Sequence, residues 1–204
     1  MSNNRAVFED NNERFEEMKG HFKEILKLIG EDPEREGLLD TPKRISKAWL
    51  EMTRGLECEP GRHLARQFTT DSSSMVLVKD IHFDSMCEHH FLSFSGTAHI
   101  AYVPGHVEGE ESYRIAGLSK FARVVEEFAA RPQVQENLTY QIANCIEENL
   151  QPAGCMVVLE ASHSCMGLRG VRSSGSKTVT SSVTGLFYDN VDGIKDEALQ
   201  LILR

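Results

Sequence analysis

Two ligand-rich fragments constrain what this chain can fold into: Cys87-Glu88-His89-His90 and, far downstream, His163-Ser164-Cys165. Cys87 and His90 stand at i and i+3, a spacing that lets one tight turn aim both side chains at a single ion. His163 and Cys165 stand at i and i+2 at the end of an apolar, strand-like run. On a strand those positions share a face, so the two side chains are expected side by side. A fold that joins the fragments gathers Cys87, His90 and Cys165 into a sulfur, nitrogen, sulfur set. Zinc takes such sets, and three protein ligands leave a fourth position for water. His89 and His163 remain beside the metal, free to move protons. A lone Cys-x-x-His can equally be a packing cysteine next to a solvated histidine. The gap between the fragments is too long for a zinc finger.

With 204 residues, 40% of them hydrophobic, the chain has material for one globular domain with a real core and a small appendage. The formal net charge of −9 argues against a nucleic-acid partner held by a basic surface, so an anionic ligand needs a local basic cluster. The five cysteines are irregularly spaced, with no signal peptide and no long apolar run. These features predict a reduced, cytoplasmic setting with no membrane partner. Cys58, Cys145 and Cys155 have no ligand-like neighbours in sequence and read as structural.

Residues 1–10 are polar and read as frayed. Phe15, Met18, Phe22, Ile25, Leu26 and Ile29 recur at helical spacing up to Gly30, predicting a helix from about Asn12. Thr41 as N-cap with Pro42 at N1 opens a second helix, on which Arg44 and Lys47 share a face. From pattern alone that face is a solvated one. Residues 56–74 are loop-rich, which predicts an N-terminal helical extension over 1–60 and a main domain over 61–204. The main domain opens with strands at 75–83 and 91–103. Residues 105–114, with Glu108, Glu110 and Glu111, read as a solvated loop.

A helix is then expected from Gly117 to about Ala130, with Ser119 and Lys120 in its first turn. Lysine there opposes the helix dipole unless an anion is bound, and such a terminus is a fair phosphate seat. Arg131-Pro132 breaks it, and a further helix runs from about Gln133 through Leu150 with Gln135 and Glu136 in its first turn. Favourable helix-dipole chemistry alone would account for Glu136. A strand over 155–161 leads into the second ligand fragment. Arg169 and Arg172 beyond it are surface charges or a clamp for an oxyanion. A Thr-rich strand over 178–187 and a helix over about 192–203 close the chain. The order strand, strand, helix, helix, strand, strand, with tight turns, predicts an α+β fold of antiparallel hairpins flanking a helical layer.

Taken together, these strings resemble the GTP cyclohydrolase I family. The matches are Cys87 to Phe91, Gly117-Leu118-Ser119-Lys120, Arg131 to Glu136, His163 to Met166 with Arg169-Gly170, and Thr41 to Arg44, in the family's order. The resemblance implies a tunnelling fold, whose antiparallel sheet of four strands and two helices joins with other copies into a β-barrel. It implies a homodecamer of two stacked pentamers with sites at subunit interfaces. By position it makes Cys87, His90 and Cys165 ligands of one zinc ion per subunit, and His89 and His163 the catalytic histidines. Gln135 and Glu136 fall on purine and ribose contacts. Ser119, Lys120 and Arg169 fall on ribose and triphosphate contacts. Arg44 and Lys47 fall on basic positions that reach the phosphates from a neighbouring subunit. Residues 105–116 depart from the pattern, being longer and more acidic than the family's short turn.

The implied reaction takes GTP and water, opens the imidazole ring at C8, releases formate and rearranges the rest to 7,8-dihydroneopterin triphosphate. That product can feed folate, tetrahydrobiopterin or 7-deazapurine synthesis. C8 is a weak electrophile, so the site needs an activated water and a proton donor to N7, suited to zinc and a histidine. The other reading is a zinc-stabilised regulatory or binding homologue without catalysis; it predicts loss of His89, His163 or Glu136, and all three are present.

Overall fold

The structure, a computed structural model, describes residues 12–204; the expectation for residues 1–10 lies outside them. The chain divides into two compact units, one ending at Thr53 and the other running Arg54–Arg204. In the first, helix α1 (Asn12–Leu28) packs on α2 (Thr41–Met52). Phe22 meets Trp49 edge to face, with ring centroids 5.1 Å apart. Thr41 is not the N-cap that the sequence suggests. Asp40 takes that place, because its carbonyl already accepts the Arg44 N–H at 3.0 Å. Pro42 still costs the helix nothing there, since first-turn N–H groups have no intrahelical partner.

The second unit opens with two 3₁₀ turns, Arg54–Glu57 and Pro60–Leu64. It continues with β1 (Gln67–Thr70), β2 (Val76–Cys87), β3 (Ser93–Val103), β4 (Gly105–His106), β5 (Tyr113–Ala116), α3 (Ser119–Ala129), β6 (Pro132–Gln133) and α4 (Gln135–Leu150). It ends with β7 (Gly154–His163), the short turn α5 (Ser164–Gly167), β8 (Thr178–Gly185) and α6 (Ile194–Ile202). The main sheet has the order β6-β2-β3-β7-β8. Its four long strands are antiparallel, and β6 is a two-residue parallel clip on the end of β2. The stretches 56–74 and 105–114 are not simple loops. They supply β1, β4 and β5, a small antiparallel sheet in which Phe68 pairs with Ile115. That pairing joins segments distant in sequence, which local composition does not report. The acidic residues Glu108, Glu110 and Glu111 are exposed between β4 and β5.

The main sheet is covered by helices on one face and by the C-terminal segment over part of the other. One face carries Phe83, Phe94, Ile100, Tyr102, Val157 and Leu159 into a core with α3 and α4. The other carries Ala101, Val103, Met156 and Val158 against Phe187 and Ala198 of the C-terminal segment. Two covered faces explain why β7 reads as a continuous apolar run rather than an alternating one. Cys145 and Cys155 are buried in the helix-side core, and burial pushes the Cys145 thiol up to about 11. No helix of the described residues is long and apolar enough to cross a membrane.

Candidate active site

The first ligand fragment forms the turn between β2 and β3. Cys87, the last residue of β2, is buried and donates its N–H to Leu92 O at 2.8 Å. Its own carbonyl accepts the N–H of His90 at 3.3 Å and of Phe91 at 2.8 Å. Phe91 adopts φ +53°, the left-handed conformation that closes the turn. The β6 clip supports it from outside: Cys87 pairs with Gln133, and Glu88 N–H reaches Gln133 O at 3.1 Å. The exposed His90 is thereby aimed back at Cys87, its Nδ1 4.0 Å from Sγ.

The second fragment is built differently from the sequence expectation. β7 ends at His163, and Ser164 starts the helical turn α5 that carries Cys165. The i, i+2 strand rule therefore does not place Cys165 beside His163. Pairing with β8 stops at Ala161↔Thr178 and pairing with β3 at Phe94↔His163, so the chain beyond lacks the partners that keep it extended. The turn closes instead through Leu168 N–H to Ser164 O at 2.9 Å. Ser164 Oγ meets Ser93 Oγ at 3.3 Å, which ties the turn to the start of β3.

One ligand atom from each of Cys87, His90 and Cys165 lies within 4.8 Å of the others. Zn–S bonds of about 2.3 Å and Zn–N bonds of about 2.0–2.1 Å in a tetrahedron need separations of roughly 3.5–3.8 Å, so small side-chain adjustments bring the set onto one ion. The donor chemistry fits too. Burial, and then the neighbouring Cys87, push the Cys165 thiol above its ordinary range, while Arg169 pulls it down. Two adjacent thiols resist ionising together, and a cation between them removes that resistance.

His163 is held on two sides. Its ring stacks on buried Phe94, with centroids 4.5 Å apart and planes 4° from parallel. Its Nε2 lies 2.8 Å from Gln135 Oε1. Burial lowers its pKa, opposed by the Glu136 carboxylate. Gln135, in the first turn of α4, is only 1% exposed. Its amide nitrogen donates to Leu159 O at 3.1 Å, Thr178 O at 3.0 Å and Thr180 Oγ1 at 3.1 Å. Both ends of the Gln135 side chain are thus engaged inside the fold. Glu136, one residue on, is exposed.

Other expected residues are placed as follows. The exposed His89 lies beside His90, with ring centroids 6.2 Å apart. Ser119 and Lys120 form the first turn of α3, which packs on β2, and no acidic residue shares that turn. Arg169 is exposed just beyond α5. Arg44 and Lys47 are exposed on α2 in the first unit, where Arg44 pairs with Asp40 at 3.3 Å. Sequence reasoning missed Phe94, Thr139 and Thr180. Thr139 stands four residues after Gln135 and donates to its carbonyl at 2.7 Å, a helical spacing that could have marked it. Phe94 reaches His163 only through strand register, for which the sequence carries no local signal.

The family model of GTP cyclohydrolase I matches residues 18–202 of this chain. GTP cyclohydrolase 1 of Carboxydothermus hydrogenoformans is 54% identical over 178 residues, covering 87% of this chain and 89% of that protein. GTP cyclohydrolase 1 of Rhodopirellula baltica is 51% identical over 190 residues, covering 93% and 80%. That of Bacillus subtilis is 49% identical over 189 residues, covering 93% and 96%.

Proposed function

This chain belongs to the GTP cyclohydrolase I family, and on that premise we propose that it hydrolyses GTP at C8, releasing formate and forming 7,8-dihydroneopterin triphosphate. The observation that carries the reading is the convergence of Cys87, His90 and Cys165 within 4.8 Å, from two fragments distant in sequence. Those three residues would hold zinc, which when bound lowers the pKa of a water from about 15.7 toward about 7. His163, stacked on Phe94 and tied to Gln135, takes the proton from the attacking water and delivers it to N7. Protonation of N7 makes C8 more electrophilic as the C–O bond forms. The exposed His89 serves proton transfers at the ribose later in the rearrangement.

Glu136 accepts from N1–H and the 2-amino group of guanine, two donors that match one carboxylate. Lys120 and Arg169, with Ser119, supply the local positive charge and hydrogen bonds for the ribose and triphosphate. A chain with a net charge of −9 otherwise lacks that positive charge. Arg44 and Lys47 act on the phosphates of a neighbouring subunit in a homodecamer, a ring of two pentamers. The test is incubation of the purified, zinc-loaded protein with GTP, following formate and an oxidisable fluorescent pterin. Both should appear together, in equal amounts. Zinc retained with no formate would instead support a binding homologue without catalysis.

A further inference from the structure

We propose that Gln135 is a positioning residue: it holds His163 as the Nε2–H tautomer, against Phe94, so that Nδ1 is the nitrogen offered to the reacting atoms. The inference rests on the reaction proposed above. Its physical basis is that the Gln135 amide can point only one way. Its nitrogen has three acceptors within 3.1 Å, two of them the backbone carbonyls of Leu159 and Thr178. Turned over, the amide oxygen would face two carbonyl oxygens with no proton between them.

The hydroxyl protons agree with that orientation. Thr139 Oγ1 donates to Gln135 O at 2.7 Å, so its proton is committed. The 2.6 Å contact between Thr139 and Thr180 then needs the Thr180 proton. Thr180 Oγ1 is left as an acceptor for the Gln135 amide nitrogen. Gln135 Oε1 is consequently fixed toward His163 Nε2, 2.8 Å away, and an acceptor at that distance requires a proton on Nε2. Among the described residues no hydrogen-bond partner faces Nδ1. The near-parallel stack on Phe94 holds the ring plane, and a half-turn within that plane would put a carbon in place of Nε2 opposite Gln135 Oε1.

The rival role is structural: Gln135 merely pins α4 to β7 and β8. Solid-state ¹⁵N NMR of the zinc-loaded, histidine-labelled protein separates the two, with the His163 signals assigned by their loss in His163→Gln. The wild type should show His163 protonated at Nε2 and bare at Nδ1. Gln135→Leu should mix the tautomers and lower kcat about 10²-fold, as for a misplaced proton carrier, with KM for GTP within about threefold. Gln135→Glu can keep an acceptor opposite Nε2 only with its other oxygen protonated toward Leu159 O or Thr178 O; in that form it should retain the Nε2–H signal and lose less activity than Gln135→Leu. A purely structural Gln135 would lower the melting temperature but leave the tautomer and the kcat of folded enzyme alone. A wild-type His163 protonated at Nδ1 overturns the proposal whether or not any variant folds, and so does a wild-type kcat in Gln135→Leu. A wild type with the expected spectrum but no GTP turnover would remove the reaction, and with it the positioning role, while locating the failure in the reaction rather than in the pair.

Discussion

Cys165 and Glu136 are single side chains whose roles separate cleanly on substitution. With Cys87 and His90 alone, two ligands hold zinc poorly, so Cys165→Ala should lose both metal and GTP turnover, checked by metal analysis and formate release. Full activity in a zinc-free Cys165→Ala protein would contradict the metal role. Glu136→Gln keeps shape but turns one acceptor into a donor that faces a guanine donor. The loss should be about 2–4 kcal/mol in kcat/KM for GTP, with zinc retained. As a mere helix-dipole partner, Glu136 would contribute about 0.3–1 kcal/mol of stability and little to turnover. Turnover and melting temperature measured on the same mutant distinguish the two accounts.

At the scale of elements, the close seam between β3 and β7 sets the position of His163. A Cβ on Gly96 would lie 1.9 Å from Glu160 O and 2.7 Å from the Ala161 Cα, both backbone atoms that cannot swing aside. Gly96 pairs with Ala161, and Phe94 pairs with His163 on the same seam. Gly96→Ala should therefore destabilise by about 1–3 kcal/mol and lower kcat as well, by parting Phe94 from His163. Denaturant unfolding alongside turnover checks both halves. β2 and β3 carry a pH-sensitive joint. Asp80, at φ +60° in the bulge of β2, donates its N–H to His99 Nδ1 at 3.2 Å. Burial lowers the His99 pKa from its ordinary 6.5, against the pull of Asp80 and Glu160 and with the push of Lys79. A depressed pKa means the folded state disfavours the protonated ring. That contribution to stability is present above about pH 6.5 and is lost as pH falls through the folded value. The melting temperature of wild type should fall on acidification more steeply than that of His99→Asn, whose amide oxygen can still accept from Asp80. Parallel slopes would remove His99 from the account.

For the whole molecule, the main sheet leaves two long edges. The β6 clip covers only Met86 and Cys87 of β2, and among the described residues no strand pairs with the outer side of β8. Open edges of that length recruit further strands, which fits a β-barrel closed by other copies of the chain. Light scattering of active protein should give the mass of a decamer rather than a monomer. If Arg44 serves a neighbour's phosphates, mixing inactive Arg44→Ala and His163→Ala subunits should restore activity, because some sites then draw one intact residue from each. No recovery after verified subunit exchange would confine Arg44 to its own subunit.

The sequence alone determined what depends on near neighbours. The i, i+3 spacing of Cys87 and His90 lies within one turn, the apolar stripes of α3 and α4 repeat within a few residues, and Gly30 ends α1 at φ +90°. The family strings, read in order, pointed to the family for the same reason, since each string is contiguous. Tertiary structure decided what depends on strand register and on where pairing stops. Cys165 sits on a helical turn because β7 runs out of partners at His163, and no periodicity in residues 155–165 marks that limit. β1 is a strand only because it meets β5, which lies far from it in sequence. Gln135 reads in sequence only as a first-turn residue of a helix, yet its side chain is buried because β7 and β8 bring three acceptors onto its amide. An exposed helix start and a buried one have the same local sequence, and only the packing of distant strands tells them apart.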